Sequence, residues 1–377
     1  MSMRAWLALL VVTVAVTAGA AWSLVARQQA TAEIAYGEPL FPGLIERVND
    51  VQSITFRTAT AAYSLKRDAA GHWVMPERGG YPANGDRAKE IVVALADARI
   101  VEPKTARAEL YSRIGVQDMD QADKKSESME VGLSDAAGKA LARLIVGKVK
   151  VRQTSSEPAK VYVRKVGDDR SWLVEARFDL KTEPREWLNR EIVRIERKRV
   201  RDVVIRQPDG GEVRLARKDR DDTEFVVADL PEGLAQGSLS DRGGVASGLS
   251  LITFDDVRPL ADVAFADPVV TTFTTYDGLR VVVRTVATGE TDKNDRPTYW
   301  STFEAEFDPT LVETAEPAAE SQDSADDEDE PRDVAQEARE INARVKGWAY
   351  FLPDFRAQNF TRRLDELTKP AKPEGES

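Results

Sequence analysis

Apolar and polar residues alternate through Val51-Gln-Ser-Ile-Thr-Phe-Arg57, which puts Ile54 and Phe56 on one face of a half-buried strand. A second run, Tyr63-Ser-Leu-Lys-Arg-Asp68, is followed by Gly71-His-Trp-Val-Met75, a hairpin strand entered through a glycine turn. The polar turn Tyr81-Pro-Ala-Asn-Gly-Asp86 then changes the period. Asn84 is a helix cap with Asp86 in the first turn, and Ala88, Ile91, Val92 and Leu95 fall at i, i+3, i+4 and i+7 on one apolar stripe. The stretch closes on Ile100-Val-Glu-Pro103.

The same order returns about 150 residues later. Val200–Arg206 answers the first run, Val213–Arg217 the second, Thr223–Val227 the third and Val257-Arg-Pro259 the close. The pattern therefore predicts a duplicated unit. In the first half, a short helix at Leu110–Val116 is stopped by Gly115. Four strands follow, Ser128–Leu133, Ala140–Lys148, Lys160–Val166 and Ser171–Ala176, and Glu183–Leu188 forms a closing helix with an early proline. In the second half the expected helix, Asp241–Leu251, carries Gly243, Gly244 and Gly248 and should be the weaker one. Leu279–Thr288 and Thr298–Phe307 read as strands. Val334, Ala338, Ile341 and Val345 mark a helix ended by Gly347, and Trp348–Leu352 is a returning strand equivalent to Ser171–Ala176. The expected fold class is α+β: two tandem similar units of antiparallel sheet with packed helices, over 44–195 and 196–368.

Ahead of these units lies an uncharged run, Ala5–Ala26, between Arg4 and Arg27. As a helix its 22 residues reach about 33 Å, enough for a bilayer core of about 30 Å. Residues 1–27 therefore read as one N-terminal transmembrane helix, a signal-anchor. Ala18-Gly-Ala20 offers the competing reading of a cleaved signal peptide, against which the apolar run continues through Trp22, Leu24 and Val25. Both readings export the body, and the anchor places it in the periplasm, single-pass on the bacterial inner membrane. Residues 28–43, with Pro39 and Pro42, form a spacer.

Charge changes the picture only locally. Of the net charge of -11, the twelve acids and two arginines between Glu313 and Glu340 account for nearly all, and the rest of the chain is close to neutral. That excludes a broad basic face for nucleic acid. Residues 308–332 hold almost nothing that can be buried and read as a disordered acidic insertion, and 369–377 as a mobile tail. The chain has no cysteine and one histidine, so disulfides, thiolate chemistry, Cys-based zinc sites and multi-His centres are excluded.

The first half resembles domain-of-unknown-function family 4340 (DUF4340). The resemblance rests on the Val-x-x-Ile-x-Phe opening, Gly71-His-Trp-Val74, the turn before Ile91-Val-Val-Ala-Leu95, Tyr111-Ser-Arg-Ile-Gly-Val116, Leu144-Ile-Val-Gly147, and Val161-Tyr-Val163 followed by Trp187-Leu188. It covers about 44–195 well and the second half more loosely. The resemblance implies a membrane-anchored protein that accompanies gliding-motility-type ABC transporter components. It supplies no reaction and no catalytic residue, and the acidic insertion departs from its pattern.

Candidate chemistry is thin. His72 has no visible partner set, and a lone histidine is more often a packing or surface residue. Gly147-Lys-Val149 lacks the Ser or Thr and the upstream glycine of a phosphate loop. Asp219, Asp221, Asp222 and Glu224 lack the glycine and final acid of a calcium loop and read as a solvated hairpin turn. The residues offered as a ligand or partner surface are Trp73, Trp172, Trp187 and Trp348, with Arg190 and Arg194; core packing competes with ligand stacking for the indoles. The basic stretch Arg164, Lys165, Arg190, Arg194, Arg197, Lys198, Arg199 and Arg201 reads as the solvated face of strands and a linker. Its alternative is a surface for lipid headgroups or the acidic loop of another copy. The expectation for function is a non-enzymatic accessory or scaffold protein of an envelope assembly, without cofactor or metal, partnered by the inner membrane and ABC transporter subunits. The alternative is a periplasmic module binding glycan, lipid or peptide.

Overall fold

The structure, a computed structural model, describes residues 36–126, 128–151, 158–291, 295–313 and 332–371. The expected membrane anchor and most of the acidic insertion lie outside the described residues. Among the described residues no helix is long and apolar enough to cross a membrane. The fold is α+β, antiparallel sheets with several helices, in two compact units. Unit 1 holds the described residues up to Glu77 and Pro82–Trp187; unit 2 holds Arg78–Tyr81 and those from Leu188.

In unit 1 the strands are β1 (Ser53–Arg57), β2 (Ala62–Arg67), β3 (Trp73–Met75), β4 (Arg99–Pro103), β5 (Met129–Ser134), β6 (Ala140–Val149), β7 (Lys160–Lys165) and β8 (Ser171–Glu175). They lie in the order β3-β2-β1-β5-β6-β7-β8-β4. Helix α1 (Gly85–Ala96) sits in the chain between β3 and β4. Its predicted stripe is the buried face: Ala88, Ile91, Val92 and Leu95, with Ala96. The Asn84 side chain caps it, accepting from the Asp86 and Arg87 amides at 3.2 and 3.1 Å.

Unit 2 repeats the order. Its strands are β9 (Val200–Arg206), β10 (Glu212–Ala216), β11 (Val226–Val227), β12 (Asp256–Pro259), β13 (Val269–Thr275), β14 (Leu279–Thr291), β15 (Pro297–Phe307) and β16 (Trp348–Leu352). They form a sheet in the order β11-β10-β9-β13-β14-β15-β16-β12. Helix α2 (Leu239–Ala246) lies between β11 and β12 in the chain, as α1 does between β3 and β4. The register agrees around the central strands. Ile54 pairs with Leu65 on one side and Leu133 on the other, and Val203 with Leu215 and Phe273. At the far end of each sheet Pro103 faces Trp172 and Pro259 faces Trp348.

The differences from the sequence reading have physical causes. Strand β13 is absent from the predicted pattern because threonines carry it: Thr271, Thr272, Thr274 and Thr275 are buried, with Phe273 the one bulky apolar side chain among them. Thr271 meets the cost of burial by donating its hydroxyl to the Phe360 carbonyl. Helix α4 (Asp354–Thr361) was equally unmarked, since it buries only Ala357 and Phe360. The glycine-rich helix α2 is eight residues long, shorter than its expected span. Between β15 and β16, where unit 1 has a tight turn, unit 2 inserts the acidic stretch and helix α3 (Val334–Val345). The Asn342 side chain fixes α3 to β15, accepting from the Ala305 amide at 2.9 Å and donating to its carbonyl at 2.6 Å.

The first residues of each segment expected to be mobile carry order. Asp308 caps a turn at Pro309–Leu311, and the Glu313 amide donates to the Tyr276 carbonyl at 2.9 Å. Thr368–Pro370 pairs with Leu234–Gln236, so backbone hydrogen bonding holds the chain as far as Ala371. The segment Arg78–Tyr81 lies with unit 2 although its sequence belongs to the first half. Arg78 pairs with Asp256 at 2.6 Å, and the Tyr81 ring meets Phe254, Trp348 and Tyr350 edge-on.

Gly147 on β6 touches the turn after the Tyr111–Ile114 helix so closely that a Cβ would stand 2.3 Å from the Ile114 carbonyl oxygen and 2.6 Å from that of Gly115. Gly147→Ala should destabilise unit 1 by about 1–3 kcal/mol through overpacking. Chemical denaturation checks this; an unchanged midpoint would show that the backbone yields at no cost.

Candidate functional site

The six residues offered as a binding surface are divided between the units: Trp73, Trp172 and Trp187 belong to unit 1, and Trp348, Arg190 and Arg194 to unit 2. Trp187 is fully buried and stacks on Phe56 with centroids 4.4 Å apart. Its Nε1 donates to the Tyr63 hydroxyl at 3.1 Å and the Lys181 carbonyl at 3.0 Å. Trp73 is buried under the Arg67 guanidinium, 4.7 Å from its carbon. Trp172 and Trp348 are half-buried at equivalent ladder positions on β8 and β16. Among the described residues the three indoles of unit 1 share no ring contact. Arg190 is held by the Phe254 carbonyl at 3.0 Å and by Asp255 at 3.3 Å, while Arg194 is an exposed partner of Glu191 at 2.7 Å.

The basic stretch is not a uniform solvated face. Arg164 is buried in unit 1, donating to the Val116 and Asp168 carbonyls at 3.0 and 2.9 Å, with Asp118 at 2.7 Å and the Tyr111 ring 4.5 Å away. In unit 2, Arg199 spans two elements. Its Nε donates to Asp277 at 2.9 Å, and its two terminal nitrogens grip Glu337 of α3 at 2.8 and 2.7 Å.

Beside Arg199 opens a cleft of about 760 Å³ in unit 2. Arg197, Arg217 and Arg220 line it together with Tyr276 and Asp277. Local folding positions each guanidinium through backbone oxygens. Arg197 donates to the Thr223 carbonyl at 2.6 Å. Arg217 donates to the Arg197 and Arg220 carbonyls at 2.7 and 3.0 Å. Arg220 donates to the Glu313 carbonyl at 3.3 Å. Aromatic rings support them: Phe225 lies 5.6 Å from Arg197 and 5.0 Å from Arg217, and Tyr276 lies 5.0 Å from Arg220. Among the described residues none of the three arginines has a carboxylate at ion-pair distance, in contrast to Arg199 and Arg201. Burial, joined by the neighbouring Arg197 charge, pulls the Arg217 guanidinium below its usual range.

This arrangement was missed because the acids of 219–224 drew the reading toward a metal loop or solvated turn. The sequence holds Arg197, Arg217 and Arg220, but 20 residues separate Arg197 from Arg217, and the supporting rings Phe225 and Tyr276 lie downstream of all three. Among the described residues no group of three or more His, Asp or Glu side chains is placed to hold a metal ion.

Two consequences are measurable. Trp187→Ala removes a buried indole and the donor to the Tyr63 oxygen, while the Tyr63 hydroxyl keeps the Lys181 carbonyl as its acceptor, so it should cost about 3–5 kcal/mol in urea unfolding; a loss below about 1 kcal/mol would mean that the site collapses around the gap. Asp277 supplies a pH dependence. Burial alone would raise its carboxyl, but hydrogen bonds from Thr275 and Arg199 outweigh it and hold the group below the usual carboxylate range. The folded pKa is the lower one, so the contribution is present above about pH 4, the unfolded value, and is lost as pH falls through the folded value. Asp277→Asn should therefore reduce stability at neutral pH and flatten its decline below about pH 4; an unaltered acid limb in pH-resolved melts would contradict this.

The family model described as Domain of unknown function (DUF4340) matches residues 73–258. The match runs from β3 to β12, so it begins and ends inside units rather than covering 44–195. No curated protein and no solved structure matches the chain. Over residues 73–258 the chain is similar to the family described as Domain of unknown function (DUF4340).

Proposed function

We propose that the chain is a non-enzymatic accessory or scaffold protein of a bacterial envelope assembly, namely an ABC-type transport system. In this reading residues 1–27 anchor it in the inner membrane and the two units stand in the periplasm as products of an internal duplication. The observation that carries the scaffold reading is the repeated strand order, with equivalent cross-strand partners around Ile54 and Val203. Two like sheets on one tether present repeated surfaces, and the prominent buried charges, Arg164 and Arg199, join segments of the fold. The length of the Ala5–Ala26 run supports the anchor. The transporter link comes from the DUF4340 resemblance.

One observation favours a second reading, a periplasmic module that binds a ligand. The arginine-lined cleft of unit 2 is concave, rigidly built and rich in donors, as binding sites are.

In-cell crosslinking, mild detergent extraction and affinity capture of the full-length chain should recover transporter subunits. The same experiment on a chain lacking residues 1–27 should recover them poorly. Full recovery without the anchor would remove the tether from the mechanism, and recovery of no specific partner from either chain would leave the second reading alone.

A further inference from the structure

We infer that the cleft of unit 2 is an oxyanion site that takes a phosphoryl group between Arg197, Arg217 and Arg220; this rests on the ligand-binding reading above and specifies its chemistry. Three positive charges converge there without a carboxylate at ion-pair distance among the described residues, whereas neighbouring Arg199 and Arg201 each hold two. Holding guanidiniums together is unfavourable unless an anion joins them. The Nε atoms of Arg197 and Arg217 are shielded from solvent and have no hydrogen-bond partner among the described residues. A bound anion lowers the repulsion among all three charges at once.

The cleft is also built before any ligand arrives. The carbonyls of Thr223, Arg197, Arg220 and Glu313 each fix one guanidinium nitrogen, leaving further N–H groups on the same forks. Rings beneath the guanidinium planes hold their tilt. Planar donors fixed in this way match the several oxygens and double charge of a phosphoryl group better than a single carboxylate. Asp221, Asp222 and Asp277 also line the cleft and oppose an anion, but the positive side chains outnumber them. The group can arrive on a lipid headgroup or as a soluble phosphate, and the chemistry is shared.

The chain itself supplies a competing charge that the test must control. Between Glu313 and Arg332 the sequence holds eight acids and no base, and Glu313 and Arg332 both adjoin the cleft. Covalent attachment gives such carboxylates a high effective concentration.

Pyrophosphate is the probe, titrated calorimetrically into full-length protein in neutral detergent at low salt. A second protein, in which the eight acids are replaced by serine, is titrated in parallel. Saturable binding is expected, at least as tight in the second protein, and weakened tenfold or more by Arg220→Gln and by Arg197→Gln. Arg220 is exposed and on a hairpin turn, so its variant should melt as the parent does; that melt separates a lost site from a lost fold. Mixed micelles then separate the sources. Phosphatidylglycerol that competes with pyrophosphate in the parent assigns a lipid headgroup, and indifference to it assigns a soluble phosphate. Pyrophosphate binding unchanged in both folded variants would overturn the site. Absence of saturable binding in either protein would overturn the phosphoryl assignment, and the ligand-binding reading would survive only if a neutral glycan or a peptide bound instead.

Discussion

Each unit hangs on a strand that pairs along both edges. In unit 1 it is β1, between β2 and β5; in unit 2 it is β9, between β10 and β13. Ile54 and Phe56 on β1, and Val203 and Ile205 on β9, are buried almost completely. Their partners on one side come from the adjacent hairpin, but those on the other come from far along the chain: Leu133 for Ile54, Phe273 for Val203. A one-residue slip of either strand would turn its apolar face to solvent and break both ladders together. The helix and the closing strand can then dock only because this pairing has set the order of the rest.

The second constraint is how charge is handled. Arg164 and Arg199 are nearly removed from water, and each is surrounded by partners from different segments. Such pairs are weak sources of net stability, since desolvation offsets much of the attraction, but breaking one leaves a buried charge alone. They therefore specify which segments meet. The arginines of the cleft are placed by the same kind of backbone contact and differ in lacking a carboxylate among the described residues. That difference turns a structural device into a candidate binding surface.

The tryptophans show the opposite resolution. Trp187 and Trp73 belong to the interior, and Trp172 and Trp348 mark equivalent ladder positions opposite prolines. An indole brings a large apolar area with one polar atom, so it suits a core wherever that atom finds an acceptor, as Trp187 does in Tyr63 and Lys181. Burial holds the Tyr63 phenol well above its usual range, against the hydrogen bond from Trp187, which lowers it.

By itself the sequence determined the α+β class, the position of helix α1 and the correspondence of the two halves, because these follow from local period: alternation of two for β1 and β9, and 3.6 for the face of α1. Even the closing match of Ile100-Val-Glu-Pro103 with Val257-Arg-Pro259 was legible, since a proline at the end of an edge strand is a local signal. Tertiary structure alone decided what local pattern does not encode. The threonines of β13 are buried because both neighbouring strands take up their backbone and Phe360 accepts a hydroxyl, which no alternation announces. Arg78–Tyr81 lies with unit 2 because Asp256 and an aromatic cluster more than 170 residues away receive it. The cleft exists because folding brings Arg197 beside Arg217, and a charge reveals its surroundings only after the chain has placed them.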